Sequence, residues 1–156
     1  MFAYIGWLAT GDGVQLGKMM RLADSHSALT HLIFVAALIN VAFALSVSKN
    51  PIPLAKMMQW GHRIVLFGGR ANLLLSFVWF GLDPYFHGKS VLMYWWMLAS
   101  VLCWVGIEVA AKRLVQSDLN VVLVGGMPSK FLFLGFAIEL ALILVFYAIM
   151  SSKAWH

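Results

Sequence analysis

Two arginines lie inside an apolar stretch of this sequence, and their spacing indicates that they share one polar face of a helix. The stretch covers residues 60–82 and contains Arg63, Arg70 and Asn72. Arg63 and Arg70 are seven residues apart, which is about two turns of an α-helix, so both guanidinium groups project from one face. A charge at the centre of a bilayer costs about 2.5–3.5 kcal/mol on the most lenient scales. We therefore expect this face to meet protein or water.

Two glutamates in other apolar segments are the expected partners of these arginines. Depths counted from the ends of the segments place Arg63 level with Glu108, and Arg70 within about a turn of Glu139 and Asn40. Such a polar layer could bind a carboxylate, a quinone headgroup or a haem propionate, or relay a proton. The alternative is a pair of ion pairs that fix the register of the helices, since buried pairs give specificity more readily than stability.

The histidines predict a second kind of chemistry at the opposite side of the molecule. His26, His31, His87 and His156 all fall toward one side of the predicted bundle, and His62 alone falls toward the other. Imidazoles gathered in this way are typical of a haem-iron or copper site. His31 is the strongest candidate because it lies just inside an apolar segment, with His26 and His87 as further metal ligands. The alternative is that these are interfacial histidines bonded to backbone or water.

The elements that position these residues are predicted to be transmembrane helices. The chain is 62% hydrophobic and 11% charged, whereas a soluble globular domain has about 25% charged residues. Four apolar segments have the length that a bilayer requires. The sequence therefore predicts an all-α integral membrane protein, a four-transmembrane-helix bundle with spans at residues 29–47, 60–82, 91–111 and 131–150.

The remaining residues are expected to form short segments around this bundle. Residues 1–28 are predicted to be an interfacial N-terminal segment and loop, because the apolar run at 1–10 is too short to span about 30 Å. Residues 29–150 form the four-helix domain and residues 151–156 a C-terminal tail. Residues 117–130 are predicted to be a loop. A single cysteine, Cys103, allows neither a disulfide framework nor a cysteine metal site.

The basic residues indicate how the bundle is oriented. Lysines and arginines concentrate in the connections at 48–61 and 112–130, which the positive-inside rule places in the cytoplasm, with both termini outside. This placement explains the net charge of +5 without a nucleic acid partner. The expected location is the bacterial inner membrane, and the expected partners are the lipid bilayer and other membrane protein subunits.

The order of these features resembles the four-helix membrane proteins grouped around the oxygen-independent protoporphyrinogen oxidase and the copper-resistance D-type proteins. The first span of that oxidase family opens with a run like HIIFVVA, and residues 31–37 here read HLIFVAA. The family's Trp-x-His-x-Lys stretch is similar to YFHGK at residues 85–89, and a basic pair follows the third span in both. The resemblance covers residues 29–150. It implies that His31 is a haem ligand and that Lys89 corresponds to the lysine of the family's Trp-x-His-x-Lys stretch.

The sequence also departs from that family's pattern. Tyr85 stands where the family has tryptophan, and the stretch from Lys89 to the basic pair is longer. A histidine expected late in the third span is absent, with Glu108 nearby instead. These departures put a complete set of haem ligands in doubt.

Three interpretations of function remain open from the sequence. The first is a small accessory or structural subunit of a larger membrane complex, of the electron-transfer or photosynthetic kind, and this is the interpretation we favour. The second is a haem- or metal-binding membrane redox protein of the protoporphyrinogen oxidase type, with haem b or a quinone as the candidate cofactors. A small transporter, in which Arg70 binds an anionic substrate, is a third. The sequence leaves catalytic activity open.

Overall fold

The computed structural model describes residues 13–82 and 95–151 and is all-helical over them, which confirms the all-α prediction for this part of the chain. Several predictions lie outside the described residues. They are the apolar run at 1–10, the connection that holds His87 and Lys89, and the tail with His156. His26 lies within a helix, but its side chain is also outside the described part.

Five α-helices and one π-helical segment follow one another along the described chain. They are α1 (Gly13–Ser46), α2 (Pro51–Leu82), α3 (Trp95–Ala110), the π segment (Ala111–Val115), α4 (Gln116–Leu123) and α5 (Lys130–Ser151). The fourth apolar segment, predicted at residues 131–150, agrees with α5 to within one residue at each end.

A tight turn separates α1 from α2. The backbone N–H of Lys49 donates to the carbonyl oxygen of Ser46 at 3.0 Å, and α2 then begins at Pro51. Proline suits the first helical position, where its missing N–H would have no partner and its fixed φ matches the helix. The break predicted near residues 48–53 is therefore present. However, α2 begins nine residues before the predicted span at residue 60.

Two segments predicted to be loops are helical instead. Residues 13–28, read as part of a glycine-rich connection, belong to α1 from Gly13 onward, because isolated glycines weaken a helix without ending it. Residues 117–123, within the predicted 117–130 loop, form most of α4. Their helix is held because Val115, Leu119 and Val122 recur at helical spacing and are buried in the core.

The rod from α3 to α4 continues through the π segment without a break. This wider turn covers Ala111–Val115, buries Ala111 and Val115, and leaves Lys112 and Arg113 exposed. Single π turns inside α-helices occur frequently at functional sites. Here the π turn lies where the rod passes the polar groove described below.

A serine cap joins the end of the rod to the start of α5. The backbone N–H of Phe131 donates to Ser129 Oγ at 3.0 Å, which is the usual hydrogen bond of a helix N-cap. The Ser129 hydroxyl in turn donates to the carboxylate of Asp118 in α4. The turn before it contains Gly125 at φ 89°, a conformation that favours glycine.

The helices pack unevenly, and the gap that results positions the site. The most extensive contact is between α1 and α2, and α5 packs against both α1 and α3. Direct contact between α2 and α3 is slight by comparison, so a groove remains between them. Two apolar clusters fill the interior, one around Met58, Val115 and Phe136 and the other around Ile33, Val65, Ile107 and Ile143.

The exterior of the described helices is largely apolar. Among the described residues, two helical segments are long and apolar enough by length and composition to cross a membrane, Ser27–Ser46 and Lys130–Ile149, each of 20 residues. The chain itself buries only 33% and 28% of their most apolar stretches. Large apolar side chains such as Leu45, Leu102 and Leu144 point outward. This surface is suited to contact with lipid.

Candidate polar site between the helices

The most exposed part of the polar site is an ion pair between α2 and α3. Arg70 Nε donates to Glu108 Oε1 at 2.6 Å, and Arg70 Nη2 donates to Glu108 Oε2 at 2.9 Å. This two-point geometry matches the guanidinium fork to the carboxylate and is the strong form of the interaction. Our prediction that Arg63 pairs with Glu108 is therefore wrong, because Arg70 occupies that carboxylate.

Glu139 has a different partner from the one expected. The carboxylate lies in α5 and is fully buried, and its Oε1 is 3.2 Å from Nδ1 of His62 on α2. The pairing of Arg70 with Glu139 is thus also wrong. Sequence reasoning placed His62 alone on its side and gave it no role. The sequence does show that His62 immediately precedes Arg63, so the two residues lie at nearly the same depth along the helix.

Asn40 on α1 lies at the same level as this pair. Its side chain is fully buried and packs against Gly61, the residue before His62. A Cβ built at Gly61 would lie 2.2 Å from Asn40 Oδ1, so only glycine leaves room for the amide. The prediction grouped Asn40 with Glu139, and the structure places each beside adjacent residues of α2.

Asn72 ties α1 to α2 nearer the other end of the bundle. Its Nδ2 donates to Thr30 Oγ1 at 2.9 Å, and its backbone carbonyl accepts a hydrogen bond from the Ser76 hydroxyl at 2.9 Å. A buried amide that crosses between helices in this way fixes their relative position. We assign Asn72 to packing.

A polar groove of about 280 Å³ runs between α2 and the rod formed by α3, the π segment and α4. Three cationic side chains and one carboxylate line it, so its lining is basic. The titratable lining residues are Arg63, Arg70, Lys112, Glu108 and His62. A basic, concave surface on an apolar bundle is a binding site for an acidic or hydrogen-bonding group.

The outward edge of the groove is a row of alternating aromatic and basic residues on α2. Trp60, Arg63, Phe67 and Arg70 recur at spacings of three and four residues and therefore share one helix face. The Arg63 guanidinium lies 5.3 Å from the Trp60 ring centre, and that of Arg70 lies 5.6 Å from the Phe67 ring centre. Trp60 and Phe67 are each 65% exposed. We call these four residues the arginine–aromatic stripe.

The pairing errors have two physical causes. Depths were counted from segment ends that hydropathy set at residues 60 and 111, whereas α2 begins at Pro51 and the rod continues to Leu123. Helix ends and membrane boundaries therefore do not coincide. In addition, an arginine side chain reaches several ångströms along the helix axis, so Arg70 can contact a carboxylate that is not level with its Cα.

Of the three predicted metal ligands, His31 is the one whose side chain lies in the described part of the structure. His31 is exposed, and its Nδ1–H donates to the backbone carbonyl of Ser27 at 2.7 Å. Its ring lies edge-on to Tyr147, with ring centres 6.5 Å apart. Within residues 13–82 and 95–151, no three His, Cys, Asp or Glu side chains form a group that could hold a metal ion. Haem and metal binding by His31 stay predictions.

Comparison with known proteins adds no relative to this picture. No family model matches the chain, and no curated protein or solved structure matches it either. The resemblance to the protoporphyrinogen oxidase group therefore rests on the order of the features, the short motifs at residues 31–37 and 85–89 and the basic pair after the third span. The polar groove, the ion pair and the stripe are what a functional proposal has to explain.

Proposed function

We propose that this protein is a four-span membrane protein that serves as a non-catalytic accessory subunit of a larger membrane complex. In this proposal α1, α2, the α3–α4 rod and α5 each cross the bilayer, and the arginine–aromatic stripe on α2 binds a transmembrane helix of another subunit. The single observation that carries it is the exposure of the Arg70–Glu108 ion pair on a bundle whose exterior is largely apolar.

The length and surface of α2 support its role as a span. Its 32 residues extend about 48 Å at 1.5 Å per residue, which exceeds the roughly 30 Å hydrocarbon core. Leu74 and Phe77, farther along the helix, are exposed and apolar. The cationic residues Arg63 and Arg70 line the groove. This distribution suits a helix that faces lipid on one side and polar neighbours on another.

The ion pair requires a cover if it lies within the membrane. The side chain of Arg70 is 48% exposed and that of Glu108 is 23% exposed. A polar group that is exposed to hydrocarbon and has no hydrogen-bonding partner costs several kcal/mol of free energy. The described part of the chain leaves this face open, and in this proposal another molecule covers it.

A helix fits this face better than a lipid headgroup does. Arg63 and Arg70 are seven residues apart, so their Cα atoms differ in depth by about 10 Å. A headgroup occupies one depth, whereas a neighbouring helix runs along the whole stripe and can offer polar atoms at both levels. The aromatic rings of Trp60 and Phe67 add apolar contact area of the kind enriched at subunit interfaces. The excess of cations predicts an acidic or amide side chain on the partner helix.

Site-specific photocrosslinking in the native membrane tests this proposal. A photoreactive phenylalanine analogue at position 67 lies in the stripe, and the same analogue at Phe133, an exposed residue of α5, is the matched control. We expect position 67 to yield one adduct with a single transmembrane polypeptide and position 133 to yield lipid adducts. Identification of the adduct by mass spectrometry then names the complex.

Charge reversal decides whether the captured polypeptide is a specific partner. Arg63→Glu should abolish both the adduct at position 67 and co-purification in mild detergent. Arg113→Glu changes an exposed cation of the π segment that does not line the groove and should leave both unchanged. Adducts with lipid alone at position 67, or equal effects of the two reversals, would overturn the proposal.

A further inference from the structure

Three polar side chains from three helices lie buried at one level of the bundle. Asn40 of α1, His62 of α2 and Glu139 of α5 are 0%, 6% and 0% exposed, respectively. Glu139 contacts His62 at 3.2 Å, and Asn40 packs against the neighbouring Gly61. The Phe136 ring lies edge-on to the imidazole, with ring centres 5.9 Å apart, and closes the apolar side. This buried group is separate from the exposed Arg70–Glu108 pair.

The hydrogen-bonding capacity of this group is largely unused among the described residues. Both polar atoms of the Asn40 amide, Nδ1 of His62 and both carboxylate oxygens of Glu139 are buried without a hydrogen bond. The approach of Nδ1 to Oε1 is close enough for an ion pair, but it lacks hydrogen-bond geometry. A buried polar group without a hydrogen bond is destabilising, so a cluster of them indicates a site that a further hydrogen-bonding species completes.

We propose that Glu139 and His62 form a proton-binding site that exchanges its proton with solvent through the polar groove. The smallest species that neutralises the carboxylate is a proton carried by Glu139 or by its neighbour His62, whose Oε1 and Nδ1 atoms lie 3.2 Å apart. An ionised carboxylate without such a proton would be an uncompensated charge in an apolar interior. The Asn40 amide, at the same level, can donate to or accept from either protonation state.

His62 provides the route between the groove and the carboxylate. It is one of the residues that line the groove, while its Nδ1 faces Glu139. An imidazole can accept a proton on one ring nitrogen and release one from the other. A hydronium ion in the groove would protonate the outer nitrogen, and the proton on Nδ1 would pass to Glu139. The net change is one proton gained by the carboxylate, with His62 neutral again.

The other charged groups around this site leave Glu139 as the group that titrates. On α2, Arg63 and Arg70 line the groove, and on the rod Glu108 and Lys112 do so. Glu108 is held by the two-point bond to Arg70. From α1 the facing residue is Asn40, which does not titrate. No described lysine or arginine bonds to Glu139, so a proton, on the carboxyl group or on the adjacent His62, is the available means of neutralising it.

Infrared spectroscopy of the full-length protein in nanodiscs tests this proposal directly. We expect a carboxylic-acid C=O band in the wild-type protein near neutral pH that disappears as the pH is raised. The band should shift when the folded protein is transferred to D2O, because the groove gives solvent access. Glu139→Gln should remove the band, and Glu108→Gln, which changes the other intramembrane glutamate, should leave it.

A second variant tests the role of His62. His62→Gln keeps a polar side chain but cannot pass a proton between two ring nitrogens, so exchange of the Glu139 proton should slow about tenfold or more. If a variant fails to fold, the pH dependence and the D2O shift of the wild-type band still test the proposal. A band that persists in Glu139→Gln, that never exchanges in the folded protein, or that follows sodium concentration instead of pH would overturn the proposal. None of these outcomes depends on the partner helix proposed for the stripe.

Discussion

Arg70 and Glu108 bind each other through two parallel hydrogen bonds, at 2.6 and 2.9 Å, across the groove between α2 and α3. In water, a pair this exposed contributes about 0–1 kcal/mol. Within a membrane, loss of one partner leaves the other charge facing an apolar surround. The measured contribution of this pair to stability therefore distinguishes an α2 that lies in a membrane from an α2 that lies in water.

We predict strong coupling between these two residues in a double-mutant cycle. Arg70→Leu and Glu108→Leu should each lower the thermal stability of the protein in nanodiscs, because each strands a charge. The double variant should recover much of the loss, with a coupling energy on the order of 0.5–3 kcal/mol. Arg113→Leu, which removes an exposed cation of the π segment, is the control and should have little effect. Additive single effects would contradict the prediction.

Adjacent glycines of α2 should respond very differently to alanine. A Cβ at Gly69 would lie 1.9 Å from the Trp104 ring, whereas a Cβ at Gly68 would lie 3.0 Å from Ile33 Cγ1. Gly69→Ala must displace a rigid ring, which typically costs about 1–3 kcal/mol. Gly68→Ala gains helix propensity of about 1 kcal/mol, which offsets a contact that a small shift relieves.

Thermal unfolding of the two glycine variants in the same detergent measures this difference. The melting temperature of Gly69→Ala should fall clearly below that of Gly68→Ala. Trp104→Leu combined with Gly69→Ala should regain part of the loss, because the smaller side chain makes room for the methyl group. Equal melting temperatures for the two single variants would mean that α2 and α3 do not approach closely at Gly69.

These relationships show what the sequence could and could not predict. The apolar helical segments followed from hydrophobic content, whereas residues 13–28 and 117–123 were expected to be loops and are helical. The boundaries at Pro51 and Lys130 agree with local chemistry, proline at the first turn and a serine cap before α5. The polar residues Arg70, Glu108 and Glu139 were singled out from the sequence, but His62, the neighbour of Glu139, was not given a role. Their pairing was not predictable, because it depends on the lateral offset of the helices and on side-chain reach, which no local pattern encodes.

Ser129 should stabilise the junction between α4 and α5 through its two side-chain hydrogen bonds. Ser129→Ala removes the acceptor of the Phe131 N–H and the partner of Asp118, and N-cap losses cost about 1 kcal/mol. Ser117→Ala, at an exposed position of α4, should be close to neutral. Thermal unfolding of both variants measures the effect. A neutral Ser129→Ala would show that the cap does not contribute to stability.

The proposed topology places the connections at 48–61 and 112–130 in the cytoplasm, because lysine and arginine favour that side. In a Cys103→Ala background, a cysteine at Ser48 or at Val124, both exposed, should react with a membrane-impermeant maleimide only after the cells are broken. A reporter active only in the cytoplasm should be inactive when fused after His156. Labelling of intact cells at Ser48 together with an active C-terminal reporter would reverse the orientation.

The last prediction concerns haem, the cofactor that the resemblance assigns to His31. The Nδ1–H of His31 donates to Ser27 at 2.7 Å, which leaves Nε2 as the only ring atom able to ligate iron. The residue that faces the ring from α5 is Tyr147, an uncommon partner for a six-coordinate b-type haem, which needs a second strong axial ligand at similar depth.

We therefore expect no tightly bound six-coordinate haem in the purified protein, and His31 should act at a packing contact. A reduced-minus-oxidised visible spectrum of protein expressed with ample haem checks this, and it should lack a sharp b-type band. His31→Ala should then change stability without changing the spectrum. A sharp band that is lost in His31→Ala but retained in His156→Ala would contradict the prediction. It would establish the redox interpretation in place of the accessory-subunit proposal, because a histidine-ligated haem gives the bundle an electron-transfer chemistry of its own.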